Sequence, residues 1–343
     1  MNSRVTIIIV NFNGERYLER CLTSALALTY PSFEVILVDN GSSDGSVALV
    51  REKFPSVQVI EAGQNLGFAK GNNVGIQATD APLVATLNND TWVEPDWLSQ
   101  LVEVMESDPN IGTCASKMLF AHQPEIINSA GVCVDPVGIA WDRLGGAPET
   151  EDTAEPMDVF AACAGAALYR RAMLDDVGLF DEDFFIYLED VDLSWRSQLM
   201  GWRTVYVPQA RIYHVHSGTT REASPFKNYH LARNKVWMVI KNYPGPQFWL
   251  YLPLILLYDL GSVPYSLIVR GETAALRGRL AAFRRLHEVW RKRRAIQGRR
   301  RVAFKDLQTA LSPLENPLTL LGRYKHLTSL PSVENEQTHP KID

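Results

Sequence analysis

Residues 5–10 read VTIIIV. A β-branched run with no polar break belongs in a strand covered on both faces, as in a parallel sheet flanked by helices. The pattern then changes period. Across 14–28 the apolar positions Tyr17, Leu18, Cys21, Leu22, Ala25 and Leu26 recur at helical spacing. A second apolar run at 33–38 (FEVILV) leads into a helix pattern at 44–54. A strand at 57–61 and a helix at 68–78 follow, then a strand at 83–87 and a helix at 94–106 opened by Pro95. Four strand–helix units in succession restrict the chain to an open, doubly wound α/β sheet. In such sheets ligands lie beyond the carboxyl ends of the strands.

Polar residues gather at those ends. Asn11 and Asn13 follow the first strand, Asp39 the second, Asn65 the third, and Asn88-Asn89-Asp90 the fourth. Asn, Asp and Gly are also turn formers, and that reading accounts for Gly14, Gly41 and Gly45. It accounts less well for Asp90, an acid ending an apolar strand just before a helix.

Residues 111–135 and 157–169 read as further strands of a mixed sheet, separated by a loop at 136–156 rich in Gly, Pro and acids. In FFIYLEDVDLSW (184–195), Glu189, Asp190 and Asp192 interrupt an aromatic, apolar segment. Acids this close repel one another and are costly to bury unpaired. They also suit a helix N-terminus, and both descriptions hold for a base at a helix start beside a cleft. A short strand at 203–207 precedes His214-Val215-His216, whose spacing sets both rings on one face of a strand. Residues 226–243 form a helix carrying Arg233 and Lys235.

Beyond residue 245 the character changes. Residues 248–269 (FWLYLPLILLYDLGSVPYSLIV) hold one charge, Asp259, and two prolines. The stretch is long enough to cross a bilayer, but Pro253, Pro264 and Asp259 favour a re-entrant or interfacial segment over a clean span. The formal charge of −5 conceals a division: residues 270–305 hold 13 Lys/Arg against Glu272 and Glu288, a net of +11, while the remainder has 21 bases and 37 acids, a net of −16. Leu276, Leu280, Phe283, Leu286, Val289 and Trp290 add an apolar stripe. A basic amphipathic helix beside an apolar segment reads as adhesion to an anionic membrane surface, in preference to RNA binding or a merely solvated charged face. The expected division is a catalytic domain at 1–245, a helical membrane-associating region at 246–311 and a loosely ordered tail at 312–343. Cys21, Cys114, Cys133 and Cys163 form no C-x-x-C pair and read as free thiols. No signal-peptide cleavage pattern precedes the first strand, so the expected location is the cytoplasmic face of the cell membrane, peripheral or monotopic. A homodimer is left open.

VTIIIVNFNG, VDNGSSDGS, NLGFAKGNN, LNND and YLEDVDLSWR, in this order and spacing, resemble the inverting family-2 glycosyltransferases of GT-A fold, in particular their bacterial rhamnosyltransferase-like branch. YHLARN (229–234) and the basic C-terminal stretch resemble that branch too, and the resemblance covers about residues 4–242. It implies a dTDP- or UDP-sugar as donor and a lipid-linked saccharide as acceptor. The family's D-x-D metal motif stands here as Asn88-Asn89-Asp90, which makes Asp90 a ligand to Mg²⁺ or Mn²⁺, with His214 and His216 as candidates to complete the shell. Asp39 is implied as acceptor for the ring N–H of a pyrimidine base. Asn11, Asn13, Asn65, Asn88 and Asn89 are implied around the nucleotide, and Lys70 near the diphosphate. Asp190 matches the family's base, with its proton affinity raised by the neighbouring carboxylates, while Glu189 and Asp192 orient acceptor hydroxyls or pair with Arg196. A sugar-nucleotide nucleotidyltransferase would share a similar sheet but carries a Gly-rich G-x-G-T-R-type loop where this chain has Asn11-Phe12-Asn13-Gly14. An inactive membrane-docked scaffold would be favoured by loss of Asp90 and Asp190, and both are present.

Overall fold

The first strand, β1 (Val5–Asn11), is followed by α1 (Glu15–Leu26), β2 (Phe33–Asp39), α2 (Ser46–Lys53), β3 (Gln58–Glu61), α3 (Gly67–Gln77) and β4 (Leu83–Asn88), realising the alternation legible in the sequence. This computed structural model describes residues 3–215, 224–269 and 271–316, and the isolated positions 319 and 322. A short β5 (Thr91–Val93) comes next, then α4 (Trp97–Ser107). Pro95 lies ahead of that helix rather than in its first turn, since Asp96 occupies the N-cap. The mixed part continues through β6 (Ile111–Phe120), β7 (Gln123–Ser129), β8 (Val132–Val134), β9 (Ala140–Asp142), β10 (Met157–Asp158), β11 (Ala166–Arg170), α5 (Arg171–Val177), α6 (Glu189–Met200) and β12 (Arg203–His214).

The sheet has ten strands, with the path β10-β12-β6-β11-β4-β1-β2-β3, β5 on β12 and β7 on β6. β3, β2, β1 and β4 run parallel, and β11 enters antiparallel between β4 and β6. β1 is the centre of the parallel half: its neighbours continue the chain in opposite directions, which opens a crevice beyond the carboxyl ends of β1, β2 and β4. Val5, Ile7 and Ile9 pack into one layer and Ile8 into the other, as a strand buried on both faces requires. β12 runs seven residues past the expected strand, to His214, and its far end pairs with β5 next to Asp90.

The carboxyl-terminal part comprises α7 (Pro225–Asn242), α8 (Gly245–Pro264, continued by a π-helical turn, Tyr265–Val269), α9 (Ala274–Phe283), α10 (Leu286–Arg299) and α11 (Phe304–Ala310). Pro253 lies within α8 and does not end it. The expected basic amphipathic helix is two helices, because the chain breaks at Arg284-Arg285. Trp195 of α6, Trp237 and Tyr243 of the α7 region, Phe248 and Ile255 of α8, Ala282 of α9 and Val289 of α10 share one core cluster. Residues 245 and 246 therefore divide the chain by sequence character, not by packing. Several cations of the basic stretch are engaged within the fold. Arg285 and Lys292 pair with Asp183 and Asp181, Arg299 and Arg301 with Asp176, and Arg279 with Asp259, while Arg293 donates to the carbonyls of Ile240 and Tyr243. Arg277, Arg284, Arg291, Arg294, Arg300 and Lys305 stay exposed. Most of the tail at 312–343 lies outside the described residues.

Candidate active site

The loops after β1 and β2 are laced together. Asn13 adopts φ 50°, a left-handed conformation that Asn tolerates. Its N–H reaches Ser42 Oγ at 2.9 Å and its Oδ1 accepts from the Ser43 N–H at 2.8 Å. Asp39 is 2% exposed. Its Oδ2 accepts from the amides of Gly41 (3.1 Å) and Ser42 (3.0 Å), and its Oδ1 from Ser42 Oγ (2.5 Å) and Asn11 Nδ2 (3.2 Å). Four donors fill the acceptor positions of one carboxylate. Asp39 thus organises its own turn. Asn65 is similarly engaged, accepting from the Gly67 N–H at 2.9 Å to open α3, and Lys70 is exposed and paired with Glu182 at 3.3 Å.

Beyond β4, Asn89 Nδ2 donates to Asn11 Oδ1 at 2.7 Å. Gly14 makes that possible. Its φ is −109°, so it is not needed as a left-handed turn residue; a Cβ there would stand 2.1 Å from Asn89 Nδ2 and 2.4 Å from Asn11 Oδ1. Asp90, 6% exposed, faces the end of β12: its Oδ1 lies 3.3 Å from His214 Nε2, and its carbonyl accepts from the Val215 N–H. His214 Nδ1 lies 2.8 Å from Asn128 Oδ1. An amide oxygen only accepts, so Nδ1 carries the proton and Nε2 is turned to the carboxylate. A ring nitrogen fixed from behind and aimed at a carboxylate is the arrangement metal-binding histidines use. One oxygen and one imidazole nitrogen suit Mn²⁺, and Mg²⁺ with more water. Among the described residues no cluster of three or more His, Cys, Asp or Glu could enclose an ion, so the shell would be completed by phosphate oxygens and water. His216 lies outside the described residues. Asn128, on β7, had no signal in the sequence.

The acid cluster separates into three environments. Asp190 Oδ2 accepts from the Ala164 N–H at 3.1 Å and Oδ1 from the Val191 N–H at 2.7 Å. Burial raises Asp190 to about 6 against the pull of these amides, and the Asp142 carboxylate on β9 adds to the rise. Burial thus outweighs the like-charge repulsion expected from the sequence, and the charge that contributes comes from a strand not singled out there. Glu189 is 4% exposed with Oε2 unpartnered; burial, then the charge of Asp190, holds it well above the usual carboxylate range. Two adjacent carboxyls are thereby both pushed toward the protonated form, Glu189 by burial and the neighbouring charge and Asp190 chiefly by burial. Asp192 is elsewhere. Fully buried, it is bound by Arg196 (3.0 Å), Lys241 (2.8 Å) and Asn242 (2.7 Å). Of the two roles open to it, pairing with Arg196 is realised, and it has no face toward the crevice. Asp190 and the Asn-Asn-Asp motif meet through two residues before β11: Ala164 holds Asp190, and Gly165 accepts from the Asn88 N–H at 2.8 Å.

A mixed sheet of this order, with these groups where its strands end, is the architecture of the GT-A glycosyltransferases. The model of the family "Glycosyl transferase family 2" matches residues 6–178, and the chain belongs to that family. It is 30% identical over 258 residues to the N-acetylglucosaminyl-diphospho-decaprenol L-rhamnosyltransferase of Mycobacterium tuberculosis, across 67% of this chain and 82% of the relative. Among solved structures it is similar to GalNAc-T7 with UDP, GalNAc and Mn²⁺ (TM-score 0.60, 19% identity, 82% of this chain and 54% of the other). It is also similar to the mannosyltransferase PcManGT of Pyrobaculum calidifontis in complex with GDP-Man and Mn²⁺ (TM-score 0.54, 17% identity, 96% and 88%).

Proposed function

We propose that this glycosyltransferase works with inversion, moving rhamnose or a similar hexose from a dTDP- or UDP-sugar to a hydroxyl of a lipid-linked saccharide during cell-surface polysaccharide synthesis. The observation that carries the reading is Asp190, half-buried at a helix start, raised to about 6 and tied through Ala164-Gly165 to the Asn88-Asn89-Asp90 motif. A carboxylate titrating just below neutral pH is largely ionised at work and still a competent proton acceptor. The acceptor hydroxyl gives its proton to Asp190 as its oxygen bonds to the anomeric carbon and the bond to the diphosphate breaks on the opposite face. The negatively charged nucleoside diphosphate leaves. Asp90 and His214 would hold the divalent ion, whose contribution when bound is to neutralise charge growing on the leaving group. Glu189, whose burial favours its protonated form, would in that form donate to an acceptor oxygen beside the base.

Titrating UDP and dTDP with and without Mn²⁺ tests the cation site. Mn²⁺ is expected to tighten nucleotide binding to the native protein by about tenfold or more, and to have little effect on Asp90→Ala, a difference of about 1.4 kcal/mol. Equal affinity with and without the ion in the native protein rejects it.

The same reading sets the enzyme on the cytoplasmic membrane face, lying on the bilayer. Gly245–Ile268 is one helix long and apolar enough to cross a membrane, with mean hydropathy 1.3 and 6% buried. Two features favour an in-plane seat. Asp259, in mid-helix, is paired with Lys235 of α7 (3.0 Å) and Arg279 of α9 (3.3 Å), and Phe248 and Ile255 are buried against the folded body. The opposite side exposes Trp249, Leu250, Leu257 and Leu260, and α9 adds Leu280 and Phe283. Arg277 and Arg284 flank that surface in sequence. An apolar face bordered by arginines fits the boundary of an anionic leaflet. The native protein is expected to sediment with phosphatidylglycerol vesicles at low salt, and Leu250→Glu/Leu257→Glu to stay in solution with its donor turnover intact. Failure of the native protein to bind these vesicles rejects this placement.

A further inference from the structure

The segment that delivers Asp190 is held in a conformation it would not adopt by itself. Phe185, Tyr187 and Leu188 have φ of 65°, 70° and 65°. L side chains avoid this left-handed region, and three such residues within four persist only where surroundings over-determine them.

Those surroundings centre on Asn234. It is fully buried on α7, and its Nδ2 lies 3.0 Å from the carbonyl of Phe184, 2.9 Å from that of Ile186 and 2.7 Å from that of Tyr187. Arg233 Nε donates to Asn234 Oδ1 at 2.9 Å, which fixes the carboxamide with its NH₂ toward the loop. The same guanidinium donates to the carbonyls of Asp183 (3.2 Å) and Phe184 (2.8 Å). Five contacts from two side chains thus reach carbonyls of 183–187, groups that regular structure would otherwise have paired. The other side of the loop is set by α3: Ala69 N–H donates to the Phe185 carbonyl at 3.1 Å, and the Phe185 ring lies where any Cβ on Gly67 would come within 2.5 Å of it. His230, one turn before Asn234, stacks on Phe185 with centroids 5.7 Å apart.

We propose that Asn234, oriented by Arg233, is a positioning residue for sugar transfer: it holds residues 184–188 in the left-handed turn that presents Asp190 to the acceptor hydroxyl. The proposal rests on the reading of Asp190 as the base and gives YHLARN a task of its own. Asn234 touches no substrate. It acts through the loop, and the donor side formed by β1, β2 and their loops does not depend on it.

The test uses the full chain with Asn234→Ala, Asn234→Ala/Leu188→Gly and, should the first fail to fold, Arg233→Gln. Hydrogen exchange reads the loop, titration with UDP and dTDP reads the donor side, and turnover of dTDP-rhamnose and UDP-sugars reads the chemistry. In Asn234→Ala, amides of 184–191 are expected to exchange about tenfold faster or more while β1 and β2 keep their protection. Turnover is expected to fall about a hundredfold, as for a misplaced catalytic group, with UDP and dTDP affinity and donor KM within about twofold of the native values. Leu188→Gly, for which a left-handed φ is no burden, is expected to return part of the lost turnover, about fivefold or more, as no purely structural role of Asn234 would allow. Arg233→Gln should act in the same direction, less strongly. The proposal is overturned if exchange at 184–191 is unchanged, if a loosened loop leaves turnover intact, or if sheet protection, nucleotide affinity and turnover decline together. Failure of the base reading shows separately, as turnover retained by Asp190→Asn, and the exchange result does not depend on it.

Discussion

Asp190→Asn is expected to lose roughly a hundred- to ten-thousand-fold in sugar transfer, the range spanned by a single general base, while nucleotide binding stays within about twofold. The variant should also melt higher than the native protein at neutral pH. The folded carboxyl titrates at about 6, above an unfolded aspartate near 3.9. A group that binds its proton more tightly in the fold supports stability fully below the unfolded value, and that support is lost as pH rises through about 6. Above that pH a half-buried negative charge is carried at a cost of at most about 3 kcal/mol. Asn removes the charge, keeps one acceptor for the Ala164 or Val191 amide and gives up the other, so the gain is smaller, about 1–2 kcal/mol. Activity has its own signature: in the native protein kcat/KM should rise with pH across a limb near 6, and in Asp190→Asn residual turnover should lack it. Kinetic pH profiles and thermal melts of the two proteins check both. A variant that keeps full turnover, or is inactive only because it no longer binds UDP or dTDP, contradicts the assignment.

The sequence carried the parallel half of the sheet almost to the residue, because a strand buried on both faces leaves its mark in a local run such as VTIIIV. The polar ends of those strands were equally local, and so were Asp90 and Asp190. What local pattern could not carry was the use of each group. Asp39 and Asn65 read as contacts for a nucleotide, and the structure adds a local use for each in its own turn, since a short polar side chain after a strand also reaches the next amides. Asp192 stood in one cluster with Asp190, yet two residues along a helix is a rotation of about 200°, which turned it from the crevice into the core. Asn128 and Asp142 lie on β7 and β9, brought beside His214 and Asp190 by pairings across tens of residues. The basic stretch was legible only in part for the same reason: the partners of Lys292 and Arg299 lie more than a hundred residues earlier in the chain, and a charge count cannot see them.

Lys241→Met is expected to cost about 3–5 kcal/mol, the penalty for removing one partner from a buried charge network. Lys241 is 2% exposed. It joins Asp192 to Asp181, which Lys292 also holds at 2.5 Å before reaching Asp183 at 2.6 Å. Burial alone would raise Asp181, but Lys241 and Lys292 overcome it and hold the carboxyl well below the usual range. Its contribution to stability is therefore present above the ordinary carboxylate value near 4 and lost as pH falls toward the folded one. Without Lys241, Asp192 keeps Arg196 and Asn242, but Asp181 is left with Lys292 and the Asp183 amide, and acid unfolding should begin at a higher pH than in the native chain. Asp192→Asn should be milder, because Lys241 keeps Asp181 and Arg196 keeps the carbonyls of Val177, Gly178 and Leu179. The network ties α6, whose first turn carries Asp190, to α7 and α10. For that reason truncation at residue 245 is expected to impair catalysis as well as membrane attachment, and exposed-face substitutions such as Leu250→Glu are the cleaner probe of the membrane. Urea unfolding of the Lys241 and Asp192 variants at pH 7.5 and pH 5 measures the difference. Equal losses in the two, or a loss for Lys241→Met below about 1 kcal/mol, would show that the buried charges are not coupled as their distances imply.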